Sequence, residues 1–211
     1  MGFQTRLGSK QPIGSSAPLD VGAASPQPRY GSAPDKPPGG TMSFFPPPHP
    51  YPASRYAGES GESSATWRPD DAPHDIENAS GGSCDYLATG RVTRGDYGLY
   101  RWNMGPEPSG PSPHFHRTIS ESFFVLSGTV RIFDGSAWIS AHAGDFCFVP
   151  EGGRHGFRNE SGEPASMLIL FSPGAPREKY FEGLADIGRS GRRPPDDEMA
   201  EFYAAHDTYW T

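Results

Sequence analysis

Residues 113–121 read PHFHRTISE, and the fold turns on how this stretch is read. Side chains alternate along a strand, so His114 and His116 face one side, about 6.6 Å apart along the chain, and Phe115 faces the other. RTIS, residues 117–120, forms a turn, and Glu121 opens the next strand. If the two strands pair as a hairpin, Glu121 reaches the space beside both imidazoles. Two imidazoles and one carboxylate already suit a divalent first-row metal.

A fourth donor comes from residues 144–159, GDFCFVPEGGRHGFRN. A turn at Gly144–Asp145 leads into a strand, and Pro150, Gly152 and Gly153 form a tight bend. His155 begins the returning strand, with Phe157 and Asn159 on its face by alternation. His155 can therefore meet His114, His116 and Glu121 inside a barrel. His49, His74, His142 and His206 fit no such pattern.

Around these stretches lie further short runs: CDYLATG, YGLYRWNM, SFFVLSG, TVRIFDG, AWIS and PASMLILFS. They are rich in aromatic and β-branched residues, and turn residues separate them. With HFHR, DFCFVP and RHGFRN they make an all-β pattern without intervening helices, as in a sandwich or barrel. SFFVL and SMLILF are apolar on both faces, which predicts that both strands lie between two covered layers.

The two stretches resemble the signature motifs of the cupin superfamily. The first motif runs from a glycine through HxH and Glu to a closing glycine. His114, His116, Glu121 and Gly128 stand at its spacings, while Pro108 occupies the opening glycine position between Gly105 and Gly110. The second motif is matched at Gly144, Pro150, Gly152, His155 and Asn159. The resemblance extends over residues 83–174 and implies a cupin jelly-roll barrel, a double-stranded β-helix, with the metal held by His114, His116, Glu121 and His155. It is similar to small single-domain cupins of the quercetin 2,3-dioxygenase type, and to small bacterial cupins that share the RTISESFFVLSG core and a Tyr–Trp ending.

Three neutral imidazoles and one carboxylate leave a divalent ion with a single positive charge and open positions. The donor set suits Fe, Mn, Ni, Co or Zn without choosing among them. Phe123 and Val125 follow the parity of Glu121, and Phe157 follows His155, so these three are expected to line the substrate pocket. Aromatic walls suit a flat, aromatic or enolic organic substrate. Glu121 can serve as a base toward a phenolic or enolic proton. The expected activity is a metal-dependent dioxygenase using O2. Isomerase, cyclase or decarboxylase chemistry of the same fold, or a non-catalytic small-molecule-binding role, is the alternative.

The remaining chain is organised around this domain. Residues 1–50 are rich in Pro, Gly and Ser and are expected to be disordered. Met42 offers a second start within that tail. Residues 51–82 read as an extended arm able to cross to a partner subunit in a homodimer. Residues 175–211 read as a helical segment packing on the barrel. Tyr180, Phe181, Leu184 and Ile187 suggest one helix face there. In PDDEMAEFYAAH, Asp196 or Asp197 is expected to cap a second helix. DTYWT, residues 207–211, is expected to fold its aromatics back on the barrel. The formal charge of −7 argues against a nucleic-acid partner. Cys84 and Cys147 read as thiols rather than a scaffold. No signal peptide or 18-residue apolar run is evident, so no membrane contact is expected and the cytoplasm is the expected location.

Overall fold

The computed structural model describes residues 52–78 and 81–211. The disordered tail expected over 1–50 lies outside them. The chain divides after Ser60. The described residues 52–60 are exposed and form neither strand nor helix. The unit Gly61–Thr211 carries every element that follows.

Eleven strands and two helices are present among the described residues: β1 Ile76–Glu77, β2 Ser83–Ala88, β3 Gly98–Met104, β4 His114–Phe115, β5 Ser120–Ser127, β6 Thr129–Phe133, β7 Trp138–His142, β8 Phe146–Val149, β9 Gly156–Arg158, β10 Ala165–Ser172, α1 Glu178–Ser190, α2 Asp196–Ala205 and β11 Tyr209–Trp210. The nine short runs read from the sequence correspond to β2 through β10. They form an antiparallel six-stranded sheet in the order β1-β2-β3-β10-β5-β8, a three-stranded sheet β7-β6-β9, and the pair β11-β4. None of these sheets closes on itself.

The alternation in sequence sets which residues meet. In β10, Ala165, Met167, Ile169 and Phe171 are buried and their neighbours are half-buried. In β5 the buried set is Glu121, Phe123 and Val125. All of these except Glu121 share one apolar cluster with Val130, Ile132 and Phe157 of the three-stranded sheet, so two sheets enclose a common core. Each such side chain contributes roughly 1.5–3 kcal/mol by leaving water. Gly128 is the one residue between β5 and β6. Its φ is 72°, and a Cβ there would stand 2.5 Å from the Pro164 carbonyl oxygen. Hence only glycine fits this turn between the two sheets.

Three expectations need correction. SFFVL is not covered on both faces: Phe124 and Leu126 are 40% and 39% exposed. Neither Asp196 nor Asp197 caps α2. Pro195 holds that position, and the two aspartates and Glu198 occupy the first turn, where negative charge complements the helix dipole. DTYWT does more than fold aromatics back, since β11 is a true strand paired with β4 in the register Tyr209↔Phe115 and Trp210↔His114.

The helices attach through aromatic contacts. Phe181 packs on Tyr100 and Trp102, with centroids 5.2 and 5.3 Å apart. The Tyr100 hydroxyl donates to Glu178 at 2.6 Å. Phe202 of α2 stacks on Tyr180. Residues 68–77 lie on their own domain: β1 pairs with β2, and Arg101 and His74 both bond the buried Asp85. Both cysteines are free thiols, Cys84 buried and Cys147 half-buried.

Candidate metal centre

β4, β5 and the start of β9 converge on one point. The backbones of His114 and His155 exchange two hydrogen bonds of 2.8 Å, which sets their rings side by side. Gly152 in the preceding bend donates its N–H to the His116 carbonyl at 2.7 Å. β5 then presents Glu121 on its buried face. The donor atoms of His114, His116, Glu121 and His155 all lie within 4.8 Å of one another, and all four residues are buried.

The imidazoles are oriented by backbone. Nδ1 of His114 donates to the Ser112 carbonyl at 2.9 Å, and Nδ1 of His155 to the Gly153 carbonyl at 2.9 Å. Nδ1 of His116 donates to the Asp207 carbonyl at 2.5 Å. A carbonyl only accepts, so each Nδ1 carries a proton, and in the neutral imidazole Nε2 is the atom with the lone pair. Nε2 of His155 and His116 stand 2.7 and 3.1 Å from Glu121 Oε2. Three preset Nε2 donors and a carboxylate fit a single divalent metal, by donor chemistry and by mutual reach.

The charges around this cluster are strongly coupled. Burial alone would raise the Glu121 carboxyl, but His155 and His116 outweigh it and hold it well below the usual carboxylate range. Burial likewise opposes charge on His155, yet the Glu121 carboxylate raises it above the ordinary imidazole value. Burial dominates at His114 and lowers it to about 4. A cation entering the cluster takes over the role of the His155 proton.

A cavity of about 350 Å³ opens beside the cluster and reaches His114 and Glu121. Of the residues expected in the pocket, Phe157 lines it. Phe123 and Val125 are fully buried and do not. Phe123 instead backs the cluster, 6.0 Å from the His155 ring. The other walls come from β3 and from the C-terminal segment: Trp102, Arg177, Tyr180, Phe181, Tyr203 and Trp210. Trp210 packs on His114 at 5.3 Å. Gly110 follows the proline-rich link, and a Cβ on it would stand 2.0 Å from the Phe157 carbonyl oxygen.

Residues 100–171 match the family model described as a cupin domain. That span carries all four donors of the cluster. No curated protein matches the chain. Among solved structures, it is similar to a conserved protein with a double-stranded beta-helix domain from Klebsiella pneumoniae, at 24% identity over 39% of this chain and 71% of that one, TM-score 0.36. It is also similar to KdgF from Halomonas sp., at 17% identity over 52% and 94% of the two chains, TM-score 0.44. The polyketide cyclase RemF from Streptomyces resistomycificus is similar at 18% identity over 51% and 78%, TM-score 0.43.

Proposed function

We propose that the protein is a metal-dependent cupin enzyme acting on a small aromatic or enolic molecule, with dioxygenase chemistry of the quercetinase type. The observation that carries this reading is a buried cluster of three histidines and a glutamate opening onto an aromatic-walled cavity. His114, His116, Glu121 and His155 would hold the ion. Such an ion supplies a Lewis acid and, if it is iron, an electron-transfer partner. The remaining roles fall to side chains. Glu121 lines the cavity and is the base toward a substrate hydroxyl. Trp102, Phe157 and Tyr180 stack on the substrate and exclude water. Phe123 packs beside the His155 ring, and Val125 belongs to the apolar core.

The two sheets that share a core are read as the two walls of a jelly-roll barrel. The assembly is read as a homodimer, supported by the exposed apolar side chains on β5 and β8.

Elemental analysis of the purified protein, with oxygen consumption over a panel of flavonols and diketones, tests the activity. Stoichiometric metal and oxygen uptake on one substrate class are expected. A chain that neither carries nor takes up metal would sink the enzyme reading. Metal with substrate turnover but no oxygen uptake would favour isomerase, cyclase or decarboxylase chemistry. Glu121→Gln separates base from ligand: turnover falls further than metal content if Glu121 moves a proton.

A further inference from the structure

Arg177 stands just before α1 and is only 4% exposed, yet it lines the same cavity as His114 and Glu121. A guanidinium offers five N–H donors. Nη1 donates to the His206 carbonyl at 2.5 Å and, at 3.4 Å, to Thr208 Oγ1. These bonds join the two ends of the helical segment, and a purely structural arginine would stop there. Nε is buried and has no hydrogen-bond partner. The rings of Tyr180, Phe171 and Phe181 lie 4.2, 5.0 and 5.6 Å from the guanidinium carbon. They supply flat apolar packing but no acceptor in the guanidinium plane.

No carboxylate hydrogen-bonds this guanidinium among the described residues. Glu121 acts on it only through its field, while burial works against its charge. An unpaired buried charge costs several kcal/mol, so a purely structural arginine should have acquired a partner. Glu121 is already engaged by His116 and His155. A divalent ion in the cluster would outweigh the Glu121 charge and leave one positive charge, and Arg177 adds a second. The cavity then holds excess positive charge beside aromatic walls. Its volume, about 350 Å³, suits a ligand the size of one or two rings.

We propose that Arg177 is the anion-recognition residue of this cavity, and that the substrate is an aromatic acid whose carboxylate pairs with it. This rests on the cavity being the substrate site, as argued under Proposed function. A guanidinium fork matches a carboxylate geometrically and by charge, which gives both affinity and orientation. The ring of such a ligand lies against the aromatic wall, and the carboxylate fixes which of its atoms meets Glu121.

The test uses benzoate and its neutral isostere benzamide, titrated calorimetrically into the full chain, with metal content measured on the same sample. Wild type should prefer benzoate by at least about tenfold. Arg177→Gln should abolish the preference, and Arg177→Lys should keep part of it, since an ammonium supplies charge without the fork. Equal affinity for the two probes, no binding of either, or an undiminished preference in Arg177→Gln overturns the assignment. Should the variants fail to fold, crystals of the wild type soaked in para-bromobenzoate decide, with the bromine locating the ligand anomalously. The carboxylate is expected against Arg177, and a carboxylate placed elsewhere in the cavity overturns the proposal. An Arg177-dependent preference in a chain that takes up no metal would sink the enzyme reading and leave the anion-recognition role of Arg177 standing. A metal-loaded chain without the preference would do the reverse.

Discussion

The carbonyl of Asp207 accepts the Nδ1 proton of His116 across 91 residues of sequence. The same residue's carboxylate accepts from the backbone N–H groups of Arg117 and Thr118 and from the Thr118 hydroxyl. One residue at the C-terminal end therefore holds both a ligand's tautomer and the turn between His116 and Glu121. Asp207 adopts φ 51°, a left-handed conformation in which alanine is strained and asparagine is tolerated. Asp207→Ala should cost about 1–3 kcal/mol in denaturant unfolding and weaken metal binding by roughly tenfold or more. Asp207→Asn should lose less of both. Metal titrations that give wild-type affinity for Asp207→Ala would show that the carbonyl is positioned without help from this side chain.

Proton and metal compete in the cluster, and the direction of each shift sets the sign. Glu121 is held below the carboxylate range, so its stabilisation is present above that range and lost as pH falls through its folded value. His155 is raised above 6.5, so its contribution is full below 6.5 and lost as pH rises through its folded value. His114 runs the other way: lowered from 6.5 to about 4, it favours folding above 6.5 and disfavours it as pH falls between those values. Metal needs all three imidazoles neutral. Added divalent metal should therefore raise the melting temperature more at about pH 8 than at about pH 5.5. Calorimetry in two buffers of different ionisation enthalpy should show proton release near neutral pH. Metal stabilisation that does not change with pH would argue against imidazole ligation.

The legible part of this molecule was the part with a short period. His114, His116 and Glu121 lie within eight residues: strand alternation puts the two histidines on one face, and Glu121 joins them from β5, although β5 pairs with β10 and β8 rather than with β4 as a hairpin. His155 enters through an isolated bridge to His114, and the buried residues of β5 and β10 alternate along each strand. Outer faces were less legible. Phe124 and Leu126 look like core by composition, but composition cannot say whether a layer covers them. The C-terminal contribution was hidden for another reason. Arg177, Asp207 and Trp210 acquire meaning only from where α1, α2 and β11 dock, and helical periodicity tells which face is apolar but not what it meets. Phe123 and Val125 show the limit of parity: they do face inward with Glu121, but into the core behind the cluster rather than the cavity.

Asp85 anchors residues 68–77 to the six-stranded sheet. It is buried, with His74 Nδ1 at 2.5 Å and Arg101 Nε at 2.8 Å. Burial by itself would raise its carboxyl, and the bonds from His74 and Arg101 more than offset this and hold it low. Its stabilisation is thus present above the ordinary 3.8 and lost as pH falls through the folded value. Asp85→Ala leaves His74 and Arg101 without their shared partner. Because both are partly exposed, the expected cost is about 2–3 kcal/mol rather than that of a fully buried pair. Limited proteolysis reads the local effect: trypsin should cut at Arg68 much faster in the variant. An unchanged cutting rate would mean that β1 pairing alone holds the segment.

β8 is an edge strand of the six-stranded sheet, and its outward side chains are apolar: Phe146 is 65% exposed and Phe148 58%. Phe146 stands opposite Phe124 and Phe148 opposite Ser122 in the ladder with β5, so the two phenylalanines extend the exposed Phe124–Leu126 surface to the sheet's rim. An uncovered apolar edge of this kind favours pairing with another chain. Light scattering should therefore give a dimer for the wild type. The double substitution Phe146→Lys, Phe148→Lys should shift it to monomer, because lysines on a strand edge oppose self-association. Neither side chain belongs to the core, so the double variant's own fold and metal content should stay close to wild type. A wild type that stays monomeric at high concentration would leave this surface without a partner and sink the dimer reading.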